Sequence, residues 1–472
     1  MNSNKKINAF TNDALGQLDA VGVAQAIATK QVSVQEITEA AIARAEKTDT
    51  HLNAIVLPTF NDARQYDKLQ TGPLYGVPVF IKDNENIKGY PTQLGTGSFR
   101  AKVASKNSRF VNQVLSTGAN SLGKSTLPEF GLICSTENER WGITRNPWHT
   151  DYTTGGSSSG SAALVASGVV PMATANDGAG SIRIPAACCG LVGLKPTRQR
   201  LVQMDGSELI PLQIVHEGVL TRSVRDTAAF FASAEKFYKN PKLPALGHIQ
   251  APGKKRLRVV FFENPAKGKG AHQDEETHRV QLATVKLLQT LGHQVDQVPI
   301  PIDVEGMTDH YLMYYGFLAY MMSHQSRLVL GTRVNKEVLE PFTLGLSKKF
   351  KDNKLKLPRS ISMLRRVGME TEKLFDTYDI IMTPVLAHTT PRIGHFSPQL
   401  SYEEVSKRAA DFATYCGLQN VTGSPAISLP MGTDAHGLPI AVQFSSRFGT
   451  DQVLLELAYE LEAAQPWKMI FQ

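Results

Sequence analysis

Apolar and polar positions along the chain predict a helical start. Ser33-x-x-Glu36 has the form of a capping box, and Ile37, Ala40, Ala41 and Ala45 follow at helical spacing. The first 70 residues or so therefore read as an amphipathic helical layer. From Gly76 the period changes to short apolar runs bounded by Gly and Pro, and Val77-Pro-Val-Phe-Ile81 has the length and β-branched content of a buried strand. Between about 110 and 235, helix-like stretches (Phe110 to Thr117, Ser161 to Ser167, Arg225 to Phe231) alternate with strand-like ones (Ser121-Leu122, Val169 to Thr174). Residues 232 to 275 form a Pro/Lys/Gly-rich connection with one strand, Leu257 to Phe262, and 276 to 292 read as a helix. The segment 303 to 372 shows no regular period. Strands are expected again at Ile380 to Thr383, Ala426 to Leu429 and Ile440 to Ser445, and an amphipathic helix closes the chain from Asp451 to Ala463. This alternation predicts an α/β fold built on a helix-flanked, mostly parallel or mixed sheet. Strand-like segments lie in both halves and no composition break separates them, so the 472 residues are expected to form one domain.

Composition narrows the classes. Hydrophobic residues at 42% and charged residues at 20% are globular values and exclude a disordered chain or a disulfide-dense mini-scaffold. The net charge of +7 is spread out, with only short basic clusters such as Lys254, Lys255, Arg256 and Arg258, so no nucleic-acid partner is expected. Cys134, Cys188, Cys189 and Cys416 have neither CxxC spacing nor a ligand partner at a regular offset and read as buried free thiols, with no metal site. Lys5 and Lys6 are followed by no apolar signal region, and no window offers ~18 uninterrupted apolar residues for a membrane span. A cytoplasmic protein without membrane association is expected.

Three motifs compete for the chemistry. Gly118-x-x-x-x-Gly123-Lys124-Ser125 matches a phosphate-binding P-loop literally, but a helical run precedes Gly118 and Pro128 follows Lys124 closely, so a turn, a short strand and a second turn are expected instead. Gly156-Ser157-Ser158-Ser159-Gly160 satisfies G-x-S-x-G and would make Ser158 a nucleophile, with Asp379 and His388 as candidate partners. Its preceding segment, Arg145 to Thr154, is a polar loop where that motif needs a buried strand. The third candidate is a constellation: Lys82 at the end of the expected strand, Gly155 to Ala163, and Asn176-Asp177-Gly178-Ala179-Gly180-Ser181-Ile182-Arg183-Ile184-Pro185-Ala186. Taken singly, each is unremarkable: a lysine reaching solvent, a Gly/Ser loop, a turn.

Together, with 75 residues from Lys82 to Ser157 and 24 from Ser157 to Ser181, they resemble the amidase signature family. The resemblance continues through Cys189 to Thr197, returns weakly at Ser424 to Pro430, and is least over 232 to 372. It implies the α/β amidase signature fold, a large mixed central β-sheet flanked on both faces by helices, in one domain with a signature core at about 74–230 and 375–465 and a variable substrate-covering region at about 232–372. It further implies hydrolysis of a carboxamide through an acyl-enzyme, with no cofactor. Ser181 would be the nucleophile, Ser157 a bridging serine held in a cis peptide, and Lys82 the general base. Desolvation beside the apolar strand would bring Lys82 from ~10.4 towards about 7 to 8, where an amine can accept a proton.

The family pattern assigns the oxyanion hole to the backbone N–H groups of Gly178, Ala179, Gly180 and Ser181, with Asp177 holding the loop and Ser158, Thr154 and Arg183 in support. Ala179 stands where many members have Gly, and its methyl would narrow the site or conflict with a positive φ. The wording Asn-Asp-x-Ala-Gly-Ser-Ile-Arg-Ile-Pro resembles the branch of aminohexanoate cyclic-dimer hydrolases. Two alternatives remain open: a glutamine amidotransferase subunit, which in that family carries an Asp where this chain has Ala413, and a catalytically silent scaffold. Expected partners are a small-molecule amide and, as assembly, a monomer or a homodimer. Tyr311, Met313, Tyr314, Tyr315, Phe317, Tyr320, Met321 and Met322 roof an apolar acyl pocket or form a core helix.

Overall fold

The computed structural model describes residues 5–265, 272–301 and 303–472; residues 266–271 of the Pro/Lys/Gly-rich connection and the first four residues of the N-terminal segment lie outside them. Strands in chain order are β1 Ile55–Pro58, β2 Pro78–Lys82, β3 Asn120–Ser125, β4 Glu137–Asn138, β5 Gly142–Ile143, β6 Met172–Asp177, β7 Val192–Lys195, β8 His216–Thr221, β9 Arg258–Phe262, β10 Gln294–Val298, β11 Ile380–Pro384, β12 Ala426–Thr433 and β13 Pro439–Ser446. Eleven of them make one mixed sheet in the order β1-β3-β2-β6-β8-β7-β12-β13-β11-β9-β10, and β4 and β5 pair separately. Strands from both halves of the sequence share this sheet, with β7 paired antiparallel to β12.

The sheet's centre is hydrophobic because its strands are covered on both faces. Val79, Phe80 and Ile81 of β2 are fully buried, as are Ala162 to Val165 of the helix Ser159–Ala166. The N-terminal layer contains the helix Val34–Leu52, whose Ser33 side chain accepts from the Glu36 N–H while the Glu36 carboxylate accepts from the Ser33 N–H.

Several segments differ from the sequence reading or add to it. Ile55–Pro58 is an edge strand inside the stretch expected to be helical. The segment 303 to 372 is mostly helical, with Val304–His324, Pro341–Asn353 and Leu357–Glu372. The first of these packs apolar side chains on more than one side, burying Met307, Tyr311, Met313 and Tyr314, so it presents no clean amphipathic stripe. Strands β7, β8 and β10 escaped notice because Gly193 and Gly218 interrupt two of them and β10 is a largely polar edge strand.

Parallel pairing of β2 with both β3 and β6 brings the C-terminal ends of β2 and β6 to the same edge of the sheet. Lys82 ends one strand and Asn176-Asp177 the other, which is where open α/β sheets present their reactive groups.

Candidate active site

Lys82 is 1% exposed. Its Nζ lies 2.7 Å from Ser157 Oγ, 2.9 Å from Ser158 Oγ and 2.5 Å from Asn176 Oδ1. Its own N–H donates to Thr174 Oγ1 on the neighbouring strand, which fixes the lysine backbone. Burial pulls the Lys82 pKa from 10.5 to about 7, against the charges of Glu217, Asp177 and Glu85.

The three partners of Nζ are not equivalent. Asn176 Oδ1 can only accept, and Ser158 Oγ gives its proton to the Ser181 carbonyl at 2.6 Å, so both need a hydrogen from the amine. A neutral amine has two hydrogens and one lone pair. On a neutral amine the lone pair would be left for Ser157, whose hydroxyl has no other hydrogen-bond partner among the described residues. The Gly156–Ser157 peptide is cis, as the family resemblance implies.

Residues 178–182 follow β6 as a tight turn. Gly180 has φ +112°, and a Cβ there would lie 2.6 Å from Cys416 Cβ, so only glycine fits. The turn is held by Asp177, whose carboxylate accepts from the N–H groups of Gly180 at 2.7 Å and Ile182 at 3.2 Å. Of the four N–H groups expected in the oxyanion hole, that of Gly180 is engaged by the Asp177 carboxylate in this conformation. The N–H groups of Gly178, Ala179 and Ser181 have no acceptor among the described residues. Ala179 is not among the positive-φ residues, so its methyl imposes no backbone conflict; it lines the smaller of the two cavities described below.

Asp177 and Arg183 are both fully buried and meet through two N–H···O bonds of 2.9 Å. Burial alone would raise the Asp177 carboxyl, but the charge and hydrogen bonds of Arg183, together with Asn420, hold it well below the usual carboxylate range. Arg183 also donates to Gln419 Oε1, Gln443 Oε1, Asn420 Oδ1 and the Cys416 carbonyl, tying the turn to the C-terminal part of the sheet. Thr154 sits outside the cluster: it is buried, and its hydroxyl donates to the carbonyl of Gly155.

Ser181 is 8% exposed and borders two cavities. A wide cleft of about 780 Å³ also contains Lys82, Ser157 and Asn176. A smaller chamber of about 120 Å³ shares Gly131, Leu132, Ser181 and Tyr315 with the cleft and has Ile133, Tyr311 and Leu312 among its further walls. No hydrogen bond joins Ser181 to Ser157 among the described residues, so the two hydroxyls are not linked in this conformation. The aromatic run of 303 to 330 serves in both ways expected of it: Tyr314 is core, whereas Tyr311 and Tyr315 wall the chamber.

The rival motifs fail on geometry. Lys124 lies within β3, fully buried, with Asp83 Oδ1 2.5 Å away and the Pro91 carbonyl and Thr92 Oγ1 also accepting from it, so it cannot reach a phosphate. Ser158 follows a loop rather than a strand; Asp379 is bound to Lys255 and the Arg258 N–H, and His388 to the Thr389 carbonyl. Among the described residues no helix is long and apolar enough to cross a membrane, and no group of three His, Cys, Asp or Glu side chains could hold a metal ion. The four cysteines are buried and free.

Asn176 was quoted in the motif without a role. Its signal is positional: it shares a strand end with Asp177 and lies opposite Glu217 in the antiparallel pairing of β6 with β8. Burial pushes the Glu217 carboxyl well up, and its Oε1 has no hydrogen-bond partner.

Residues 36–455 match the model of the family described as Amidase. A Mycobacterium leprae protein named "Putative amidase AmiC" is 45% identical over 467 residues, 99% of each chain. The 6-aminohexanoate-cyclic-dimer hydrolase of Paenarthrobacter ureafaciens is 31% identical over 482 residues, 95% of each chain. Among solved structures, a 6-aminohexanoate cyclic dimer hydrolase superposes with a TM-score of 0.86 at 29% identity, covering 98% of this chain and 99% of that one. A bacterial aryl acylamidase superposes at 0.85 with 25% identity, covering 96% and 97%. Match and superposition span the sheet and both strand ends that carry the Lys82 cluster, and the chain belongs to the amidase signature family.

Proposed function

We propose that this amidase hydrolyses a carboxamide C–N bond through Ser181, Ser157 and Lys82, without metal or cofactor. The observation that carries the reading is the Lys82 amine: fully buried, free of a contacting carboxylate among the described residues, and set 2.7 Å from a serine hydroxyl. A serine hydroxyl attacks only if its proton is taken as it does so. In this reading Lys82 Nζ accepts the Ser157 proton while Ser157 Oγ accepts that of Ser181, a link that closes when substrate fills the site. Ser181 Oγ bonds to the carbonyl carbon. The N–H groups of Gly178, Ala179 and Ser181 receive the negative oxygen. The proton then returns through Ser157 to the nitrogen, the C–N bond breaks and the amine leaves. Water, deprotonated along the same route, attacks the acyl ester and releases the carboxylic acid and Ser181.

The helices between 304 and 372 are assigned to covering the substrate, since Met307, Tyr311 and Tyr315 line the chamber beside Ser181. A glutaminase would need a carboxylate near the acyl group to hold the substrate's ammonium. Ala413 lines that chamber instead, and no charged side chain joins it there among the described residues. A silent scaffold is disfavoured because Lys82, Ser157 and Ser181 are all present. The proposed substrate is a small-molecule amide, with no nucleic acid or membrane partner.

A fluorophosphonate probe followed by peptide mass spectrometry tests the assignment. The adduct is expected on Ser181, and Ser181→Ala is expected to lose both labelling and amide hydrolysis. An adduct on Ser158 would overturn it.

A further inference from the structure

The two cavities that meet at Ser181 differ in size, in polarity and in which members of the cluster they touch. The chamber of about 120 Å³ includes Leu132, Ile133, Met307, Leu312 and Ala413 in its walls, carries no charged side chain among the described residues, and touches neither Lys82 nor Ser157. The cleft of about 780 Å³ contains Lys82 and Ser157, together with the charged groups Glu85, Lys102, Lys106 and Asp205.

This division gives the substrate a direction. A proton donor acts within roughly 2.6–3.2 Å of the atom it protonates, or through one water. Ser157 must return the proton to the departing nitrogen, and Ser157 borders only the wide cleft. The nitrogen and whatever it carries therefore lie in the cleft, and the acyl group enters the chamber. An apolar cavity of ~150 Å³ holds a benzene ring, so the 120 Å³ of this partly open chamber seats roughly four or five carbon-sized atoms before a longer chain reaches its mouth. A charged acyl terminus would find no partner there and would be rejected by its desolvation cost. The cleft falls within the ~300–1,000 Å³ range of sites for drug-sized ligands.

Building on the reading of Ser181 as the acylated residue, we propose that the substrates are N-substituted amides joining a short apolar acyl group, of up to about five carbons, to a bulky amine portion. Ala413 and Leu312 are among the walls that confine the acyl group, and polar or charged groups on the substrate belong to the amine side.

The test uses the purified full chain and two series of amides. In the first, the amine is fixed as 4-nitroaniline and the acyl group runs from acetyl to dodecanoyl. Expected kcat/KM rises about threefold to fourfold per added methylene to four or five carbons, then falls at least about tenfold by octanoyl as the chamber overfills. In the second, butanoyl hexylamide is compared with butanoyl methylamide, whose amines have similar basicity; the hexyl compound is expected to be the better substrate by about tenfold or more. Ala413→Leu should shift the acyl optimum to acetyl. A dodecanoyl methylamide that outruns butanoyl hexylamide, or an acyl optimum at eight carbons or more, would overturn the proposal. If Ser181 takes the fluorophosphonate and amides are hydrolysed with this reversed preference, only the substrate orientation fails. If no probe labels Ser181 and no amide is hydrolysed, the reading of Ser181 fails and the orientation falls with it.

Discussion

Lys82 and Lys124 lie on neighbouring parallel strands, in a register that pairs Ile81 with Lys124 and Lys82 with Ser125, and both are withdrawn from water. Their partners differ. Lys124 meets the Asp83 carboxylate at 2.5 Å, a carbonyl and a hydroxyl. Lys82 meets two serine hydroxyls and an amide oxygen, and no carboxylate contacts it among the described residues. Burial lowers the pKa of both, but at Lys124 the Asp83 charge opposes it through direct contact, whereas Lys82 falls to about 7. Desolvation alone therefore does not make a lysine a base. The buried amine must also be denied a countercharge and given a hydroxyl that can return a proton.

The largest expected effect separates the two lysines by activity. Lys82→Arg keeps a cation that cannot deprotonate in the working range and should lower kcat/KM by about 10²- to 10⁴-fold while the fold persists, read by circular dichroism alongside the rate. Next comes the stability side of the comparison. Lys124→Met leaves Asp83 buried without its partner and should cost about 3–5 kcal/mol, seen as a lower urea midpoint, whereas Lys124→Met combined with Asp83→Asn should recover most of it. If Lys124→Met unfolds no more easily than wild type, Lys124 is not held in a structural ion pair. The smallest effect concerns the aim of the lone pair: Ser158→Ala removes one acceptor of Nζ and should reduce kcat/KM about tenfold without abolishing it, the worth of one hydrogen bond of ~1.4 kcal/mol. A Ser158→Ala rate equal to that of Ser181→Ala would contradict the division of labour between them.

How much was legible in the sequence follows the same physics. β2 could be read because five consecutive positions, Val77 to Ile81, are apolar and bounded by glycine and a lysine. β8 could not, because His216, Glu217 and Thr221 read as surface residues, yet all are buried in the sheet, the first two opposite Asp177 and Asn176. For Val304–His324 the sequence left a core helix and a pocket roof side by side, because the helix packs on several sides and its period is hidden. Motif spacing singled out Lys82, Ser157 and Ser181, and the structure brings Lys82 and Ser157 into contact. It could not reveal that the Gly180 N–H turns inward to Asp177 or that Asn176 holds Nζ, since both depend on how the chain bends after β6. Nor could it show that Lys124, in a literal phosphate-loop motif, belongs to an ion pair.

The measurement that bears most directly on the neutral lysine is the pH dependence of kcat/KM on one small amide, for wild type and Lys82→Arg. Lys82 is protonated below its pKa and neutral above it, so the wild-type rate should rise about tenfold per pH unit from pH 5, bend near pH 7 and remain level to about pH 9. Lys82→Arg should be slow throughout and lack the bend. A wild-type profile flat from pH 5 to 9, or a Lys82→Arg enzyme that keeps near-normal kcat/KM with the same bend, would contradict a proton relay driven by Lys82.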